Sequence, residues 1–447
     1  MNYEEALEWL SGRLDLERMG SVSAQQASGR AGVLRRRPTL ERIEALMDAM
    51  GHPELAYKVI HVTGTNGKGS TVRMTSALLS ACGFAVGSYL SPHLDSPRER
   101  MAYDGDPIPL DELAEELSAI RQLTEAFNID ASWFEIMTAA AFRWFADRGI
   151  DIAVVEVGLG GTFDATNVVK SDVCAITNIE LDHTEILGST REAIAKDKSG
   201  IVKPDCALVL GEPDPELFPI FEQAAQMAPA RSVALRGRDF DSTKALVALG
   251  GRVVDFFTPR ARYEEVYLSL FGAHQALNAS VALESAEELM GAAVPSEVVE
   301  SVFATMRVPG RLEILQREPL VLIDGAHNPA GMRALGASLG EDFAGIGPFV
   351  AVVGMLSPRD PREMLDALGP EKLSGVVCCA PQNPRALPPE VLSKAARERG
   401  LPTEVVPECD EAVRRAISLA GPDGAVVVAG SLYAVGEVRR ALSQRRS

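Results

Sequence analysis

His61-Val62-Thr63-Gly64-Thr65-Asn66-Gly67-Lys68-Gly69-Ser70 lies between two differently patterned stretches. Apolar Val59, Ile60 and Val62 lead into it, and Val72, Met74, Ala77, Leu78 and Ala81 follow at helical spacing. The stretch reads as strand, glycine-rich turn, helix. Such a turn lets successive backbone N–H groups face a phosphate, and the helix N-terminus adds partial positive charge. Lys68 adds a full charge, and Ser70 offers a hydroxyl to a phosphate or its Mg²⁺. The spacing is not the usual G-x-x-x-x-G-K-[ST]: the loop is shorter, and Gly69 separates Lys68 from Ser70.

Downstream, strand and helix patterns alternate. Residues 84–90 read as a strand that ends in the turn Ser91-Pro92-His93-Leu94, and 110–127 and 133–148 read as helices. Residues 151–157 form a buried strand carrying an acid, Glu156, before Gly158-Leu159-Gly160-Gly161. A further strand, 172–179, leads to Leu181-Asp182-His183. This alternation predicts a mostly parallel sheet covered on both faces, with ligands at the carboxyl ends of its strands. The phosphate loop, Ser91, Glu156 and His183 fall on that shared edge. The helix at 272–290 is followed by Arg307-Val308-Pro309-Gly310-Arg311, a hinge, and the strand–helix pattern then restarts at 320–323. The expected architecture is α/β. A P-loop-containing, mostly parallel sheet domain (1–306) is followed by a smaller Rossmann-like α/β domain (307–447).

Other segments are less telling. Residues 2–16 read as a short amphipathic helix and 20–32 as a small, polar, mobile loop closed by Arg35-Arg36-Arg37-Pro38. Thr39 is the expected N-cap of a helix through Met50. Residues 211–270 carry strand signals at 252–257 and 266–270 but no motif.

The chain has 447 residues, enough for two or three domains, and 46% hydrophobic with 24% charged residues suits full cores. A net charge of −18 argues against nucleic acid or an acidic membrane surface as partner. The six cysteines are scattered and form no C-x-x-C, so reduced, buried thiols and a cytoplasmic home are expected. The acidic N-terminus is no signal peptide, and no apolar run is long enough to span a membrane.

Some residues carry chemistry. A carboxylate inside an apolar strand needs a partner, so Glu156 is either half of a salt bridge or a Mg²⁺ ligand. Its place before a double glycine favours the metal, and His183 on the same edge is a second ligand. Asp164 and Asp182 suit turn and cap roles equally well. Lys196 and Lys198 end a helix, where an exposed charged face is the plain expectation. Asp324-Gly325-Ala326-His327-Asn328-Pro329 puts an acid and an imidazole at a strand-to-helix turn, with Asn328 as N-cap before Pro329.

Together these stretches resemble the folylpolyglutamate synthase / dihydrofolate synthase family of the Mur ligase superfamily. The matching motifs are HVTGTNGKGS (61–70), SPHL (91–94), EVGLGGTFDATN (156–167), LDHTEILG (181–188), DKSGI (197–201), HQALN (274–278), PGRLE (309–313), DGAHNPAG (324–331) and GSLY (430–433). They run in family order over nearly the whole chain. The resemblance implies an ATP-dependent ligase that joins L-glutamate to dihydropteroate or a reduced folate through an acyl phosphate. By motif, Gly64, Thr65, Asn66, Gly67, Lys68, Gly69 and Ser70 would bind ATP, with Asn278, Arg311 and Asp324. Ser91, Glu156, His183 and a carbamylated Lys198 would hold Mg²⁺ at two sites, and K⁺ is a further candidate. Lys68, Lys198, Asp324 and His327 would be catalytic. The pteroyl side would use Ser132, Trp133, Phe134, Glu135, Phe163 and Ala165, with the 35–38 segment, and glutamate would lie near His327 and Ser431. A monomer is implied. Departures are Thr162 where the family often has Arg, Asp197-Lys198-Ser199-Gly200 for Glu-Lys-Ala-Gly, and Pro358-Arg359-Asp360 for Asp-Lys-Asp. Another Mur-type amino-acid ligase, or a regulatory nucleotide-binding protein that does not ligate, are the competing readings.

Overall fold

A computed structural model describes residues 1–15 and 39–443. The 35–38 segment and the expected loop at 20–32 lie outside them. The chain divides into two compact units. The first comprises residues 1–244, 254–267 and 276–305; the second comprises 245–253, 268–275 and 306–447.

The first unit opens with α1 (Tyr3–Ser11), α2 (Glu41–Met50), β1 (Lys58–Thr63) and α3 (Lys68–Ala81). Strands β2 (Val86–Tyr89), β3 (Met101–Tyr103) and β4 (Asp106–Pro107) precede α4 (Leu110–Ala126) and α5 (Trp133–Arg148). Then come β5 (Ile152–Glu156), β6 (Val173–Ile176), α6 (Thr184–Leu187), α7 (Arg191–Lys198), β7 (Ala207–Leu210), α8 (Phe218–Met227) and β8 (Ser232–Leu235). These strands make an eight-stranded sheet in the order β4-β3-β2-β5-β1-β6-β7-β8. β1 pairs in parallel with β5 and β6, so the strand that feeds the phosphate loop is central. Of these strands β3 alone is reversed, pairing antiparallel with β2 and with the edge strand β4.

Two core clusters lie side by side along one face of this sheet, where Tyr89, Val155, His61, Cys174 and Leu208 stand in register. In one, Tyr89, Ala153 and Val155 pack with Phe142, Phe145 and Trp144 of α5 and with Ile43, Leu46 and Met47 of α2. In the next, Cys174, Ile176, Leu208 and Leu210 pack with Ile194 and Phe221. Each fully buried large side chain contributes about 1.5–3 kcal/mol. Thr39 is not the cap of α2. Leu40 holds that position without a side-chain bond, and Arg42 turns instead to the buried Glu135 of α5 at 2.9 Å.

Strands β9 (Asp241–Ala248), β10 (Gly251–Phe257) and β11 (Arg262–Leu268) form a three-stranded sheet in the order β11-β10-β9. The chain continues through α9 (Ala273–Met290) and α10 (Ser296–Thr305). Within the stretch without a motif the chain crosses between the units at 244/245, 253/254 and 267/268. Within the second unit, buried Arg252 of β10 anchors this segment. It donates to Asp342 Oδ1 and Oδ2 at 2.9 and 2.8 Å and to Glu341 at 2.8 Å.

The second unit is built on β12 (Glu313–Arg317), β13 (Leu320–Ile323), α11 (Pro329–Glu341), β14 (Phe349–Gly354), α12 (Pro361–Leu368) and β15 (Leu373–Cys379). It closes with α13 (Pro389–Arg397), β16 (Thr403–Val405), α14 (Cys409–Ala420), β17 (Ala425–Ala429) and α15 (Leu432–Ser443). The order β12-β13-β17-β14-β15-β16 is parallel except for the β12–β13 hairpin, an element the sequence pattern did not disclose. Among the described residues no helix is long and apolar enough to cross a membrane. All six cysteines are free, five of them buried and Cys82 half-buried.

One group in the first unit is out of balance. Glu284 of α9 is fully buried, and neither carboxylate oxygen has a hydrogen-bond partner. Burial, with Glu288 and Glu287 nearby, pushes its carboxyl up to about 8 against the opposing pull of Arg260. Folding therefore takes up a proton between the ordinary carboxyl range and about pH 8, so this group's contribution to stability falls as pH rises through that window. Glu284→Gln should raise Tm by about 2–5 °C at pH 9 and by little at pH 5, as followed by thermal unfolding across pH.

Candidate active site

The phosphate loop joins β1 to α3. Gly67 caps α3 at φ +84°, with no side chain bonded across the helix end. The N–H groups of a helix's first turn have no acceptors within it, so Gly67 to Ser70 present them outward. Gly67 has a second constraint: a Cβ there would lie 2.2 Å from Asn278 Oδ1. Asn278, buried on α9, thus touches the loop.

Residues 64–66 are held differently. Thr65 N–H donates to Asn178 O at 2.9 Å, and Asn66 N–H donates to Asn178 Oδ1 at 3.0 Å. Asn178 Nδ2 and Thr177 Oγ1 both donate to Asn66 O, at 3.1 and 2.6 Å. Thr65 Oγ1 exchanges bonds with the N–H and carbonyl of Glu180, both at 3.0 Å. The amides of Thr65 and Asn66 therefore shape the loop, while those of Gly67 to Ser70 open from the helix end.

Two lysines converge on one oxygen. Lys68 Nζ donates to Gly64 O at 3.2 Å, and Lys198 Nζ donates to the same carbonyl at 2.9 Å. The plain reading of 196–198 as an exposed face divides here: Lys196 is exposed and Lys198 is buried. Burial, then the nearby Lys68 ammonium, lowers Lys198 to about 7, against the pull of Asp197, Asp182 and Asp164.

Glu156 closes β5 and is buried, with Oε2 accepting from Ser91 N–H at 3.1 Å. A Cβ placed on Gly69 would come within 3.2 Å of that oxygen, so the carboxylate faces the first turn of α3. His183 follows β6 on the same sheet edge, half-exposed at φ +49°, with Nε2 4.0 Å from Asp182 Oδ1. Asp164 is a cap: it is buried and accepts from the N–H groups of Leu159 and Thr166 at 2.9 and 3.0 Å. Thr166 Oγ1 donates to Asp164 Oδ1, so it accepts from His61 Nε2–H at 2.8 Å. This buried chain ties the strand before the phosphate loop to the turn that carries Phe163. Burial lowers His61 to about 3, so it stays neutral.

The pteroyl-side residues divide as well. Ser132 and Glu135 form a capping box at the start of α5, so their polar groups serve the fold. Trp133 lies under the Arg100 guanidinium at 4.4 Å and stacks on His93 at 6.2 Å. Arg100 Nε donates to His93 Nδ1 at 3.0 Å. Phe134 packs against Gly158, Ala165 is buried, and Phe163 is 54% exposed, available to a flat ligand. Arg100, Thr177 and Asn178 carried no motif signal of their own, although Thr177 and Asn178 end a recognisable strand.

In the second unit, Asp324 follows β13. Its carboxylate accepts from Leu312 N–H at 2.9 Å and Ala326 N–H at 2.8 Å. The Arg311 guanidinium lies against Gly325, where a Cβ would meet it at 2.0 Å. His327 Nδ1–H donates to Gly325 O at 2.8 Å, which leaves Nε2 the basic nitrogen. Buried Ser431 sits beside this turn, because Gly430 N–H donates to Ala326 O at 2.9 Å. Asn328 caps α11 through Gly331 N–H at 2.8 Å. Asp360, the surviving acid of 358–360, caps α12.

These residues fit a nucleotide: an uncapped helix end, two ammonium groups and a glycine that a Cβ would obstruct. They also fit Mg²⁺. Among the described residues no three His, Cys, Asp or Glu side chains gather into a ready metal cluster. Mg²⁺ instead favours one or two carboxylates completed by phosphate and water, which Glu156 beside Ser91 can begin.

The fold and site define an ATP-dependent ligase of the Mur type. Residues 62–286 match the Mur ligase middle domain, and residues 310–432 match the Mur ligase glutamate ligase domain. The dihydrofolate synthase/folylpolyglutamate synthase of Mycobacterium tuberculosis is 37% identical over 438 residues, covering 90% of this chain and 89% of that protein. That of Bacillus subtilis is 33% identical, covering 98% and 99%. Among solved structures, the M. tuberculosis folylpolyglutamate synthase with ADP and AMPPCP superposes at a TM-score of 0.85, covering 94% of this chain and 99% of that one. Escherichia coli FolC with DHPP and ADP gives 0.85 at 28% identity, covering 99% and 98%. The chain belongs to the dihydrofolate synthase/folylpolyglutamate synthase family.

Gly67→Ala would press Cβ onto Asn278 at a positive φ. ADP affinity, read by calorimetry, should fall by about ten-fold or more, because the helix end must shift to relieve the contact.

Proposed function

We propose that the protein adds L-glutamate to dihydropteroate and to a reduced folate, using ATP, in the cytoplasm and as a monomer. The observation that carries the reading is the uncapped N-terminus of α3, with Lys68 Nζ and Lys198 Nζ gathered at the Gly64 carbonyl of the loop that leads into it. That is a place built for a triphosphate and for the charge that develops during phosphoryl transfer.

In this reading the pteroyl carboxylate attacks the γ-phosphorus of ATP. The bond to ADP breaks, and an acyl phosphate forms on the pteroyl substrate. The amine of glutamate then attacks the acyl carbon, phosphate leaves, and the amine loses a proton. His327, its Nδ1–H held by Gly325 O, keeps Nε2 to accept that proton or orient the amine. Ser431 lies beside the same turn to meet glutamate. Asn278, Arg311 and Asp324 are assigned to the nucleotide, and exposed Phe163 with Trp133 to the pteroyl ring. Mg²⁺ on Ser91, Glu156 and His183 would neutralise the phosphates. Lys198 is the candidate for carbamylation, since only a neutral amine takes up CO₂, and burial beside Lys68 favours that form. A carbamate there would add an oxygen ligand for a second Mg²⁺. K⁺ is a further candidate cofactor.

Product mass spectrometry with Mg-ATP, K⁺ and L-glutamate tests this, with dihydropteroate and tetrahydrofolate in separate tubes. One added glutamate on each supports the reading. Addition to one alone narrows it to that activity. ATP consumed with no addition to either overturns it. Lys198→Ala should lower kcat by about 100-fold or more, the usual cost of losing one group that stabilises transition-state charge. Retention of near-normal turnover at limiting Mg²⁺ removes Lys198 and its carbamate from the site.

A further inference from the structure

The conformation of the phosphate loop is imposed from outside it. Asn178 Oδ1 accepts Asn66 N–H at 3.0 Å while Asn178 Nδ2 donates to Asn66 O at 3.1 Å. One side-chain amide thus takes both main-chain groups of a single residue, as a neighbouring strand would. The main-chain carbonyl of Asn178 adds a third bond, from Thr65 N–H at 2.9 Å. Thr177 Oγ1 donates to the same Asn66 O at 2.6 Å.

We propose that Asn178 is a positioning residue for the nucleotide. It holds residues 64–66 in the conformation that turns Gly64 O toward Lys68 and Lys198 and leaves the α3 N-terminus open. The proposal rests on the reading that this loop carries the triphosphate.

The loop needs such a clamp. Gly64 at φ +148° and Gly67 at φ +84° bracket Thr65 and Asn66, and glycine is the residue with most conformational freedom to lose. A loop left to itself would sample other shapes, and bound nucleotide would bear the ordering cost at each binding event. The chemistry selects asparagine. Aspartate would set a carboxylate oxygen against the Asn66 carbonyl, and serine or threonine has one oxygen where the clamp uses an oxygen and a nitrogen. The clamp also reaches further along the edge. The segment continues through Glu180, bonded to Thr65 Oγ1, to Asp182 and His183. Glu212 accepts Ile179 N–H at 2.7 Å, and Arg191 donates to Ile179 O at 2.9 Å, so this segment is fixed on its far side too.

The test compares Asn178→Ala, Thr177→Ala and Lys68→Ala with the wild-type chain. ADP and AMPPCP affinities are measured by calorimetry with Mg²⁺, together with KM for ATP and for L-glutamate and the unliganded Tm. For Asn178→Ala, nucleotide Kd and KM for ATP should rise about ten-fold or more. KM for glutamate should stay within about two-fold, and Tm should fall by no more than about 3 °C. Thr177→Ala removes one of two donors to Asn66 O and should shift nucleotide Kd the same way by a smaller factor. It carries the test if Asn178→Ala does not fold. Lys68→Ala should lose nucleotide binding. Wild-type nucleotide affinity in the Asn178 and Thr177 variants, with Lys68→Ala impaired, overturns the positioning role. So does a uniform rise in every KM with a large loss of Tm. Wild-type nucleotide binding by Lys68→Ala overturns the underlying reading instead.

Discussion

Two ammonium groups hydrogen-bonded to the Gly64 carbonyl are the arrangement on which the site depends. Two unit charges so placed repel each other. The fold offsets this in two ways. The carbonyl oxygen points at both nitrogens. The carboxylates of Asp197, Asp182 and Asp164 pull on Lys198, and its proton is held loosely enough to leave near neutral pH. A bound triphosphate would supply the remaining negative charge. Positive charge gathered locally, from Lys68 and the uncapped end of α3, is how a site can bind an anion in a chain of net charge −18.

Everything around that carbonyl keeps its position from moving. The central place of β1 puts the loop between two parallel neighbours, β5 and β6. The turn after β5 is joined to the loop by Thr63 Oγ1, which donates to Gly160 O at 2.7 Å. The turn after β6 is joined to it through Asn178 and Glu180. Glu156 and His183 arrive on those same two turns. The ligand edge of this sheet is one hydrogen-bonded assembly, and the chemistry-bearing residues inherit their positions from it.

Much of this was legible in the sequence because it follows from short-range patterns. α5 at 133–148 and β13 at 320–323 fall where periodicity and turn residues predicted them. The cap at Asn328 before Pro329 was readable from position alone. The placing of the phosphate loop and Glu156 on one edge followed from the parallel-sheet rule. What stayed hidden depends on partners far along the chain. Lys196 and Lys198 look alike in sequence, and only the packing of α7 buries one and exposes the other. Thr39 looked like a cap, but Arg42 is drawn to Glu135, and the helix begins after Leu40 without a side-chain cap. Ser132 and Glu135, expected at the substrate, have their polar groups in a capping box and an ion pair. The β12–β13 hairpin was missed because Glu313-Ile314-Leu315-Gln316-Arg317 has no clean alternation, and its register slips at Ile314/Gln316.

The stretch without a motif shows why motif content and structural weight differ. Residues 245–253 lie outside the catalytic motifs, yet they belong to the second unit through Arg252, nearly wholly buried and bonded to two acids. A buried guanidinium so paired is costly to break, because either partner alone would be left charged and desolvated. Such a bond specifies attachment more than it adds stability. A reader of motifs sees nothing there, although the segment decides which unit the strand residues belong to.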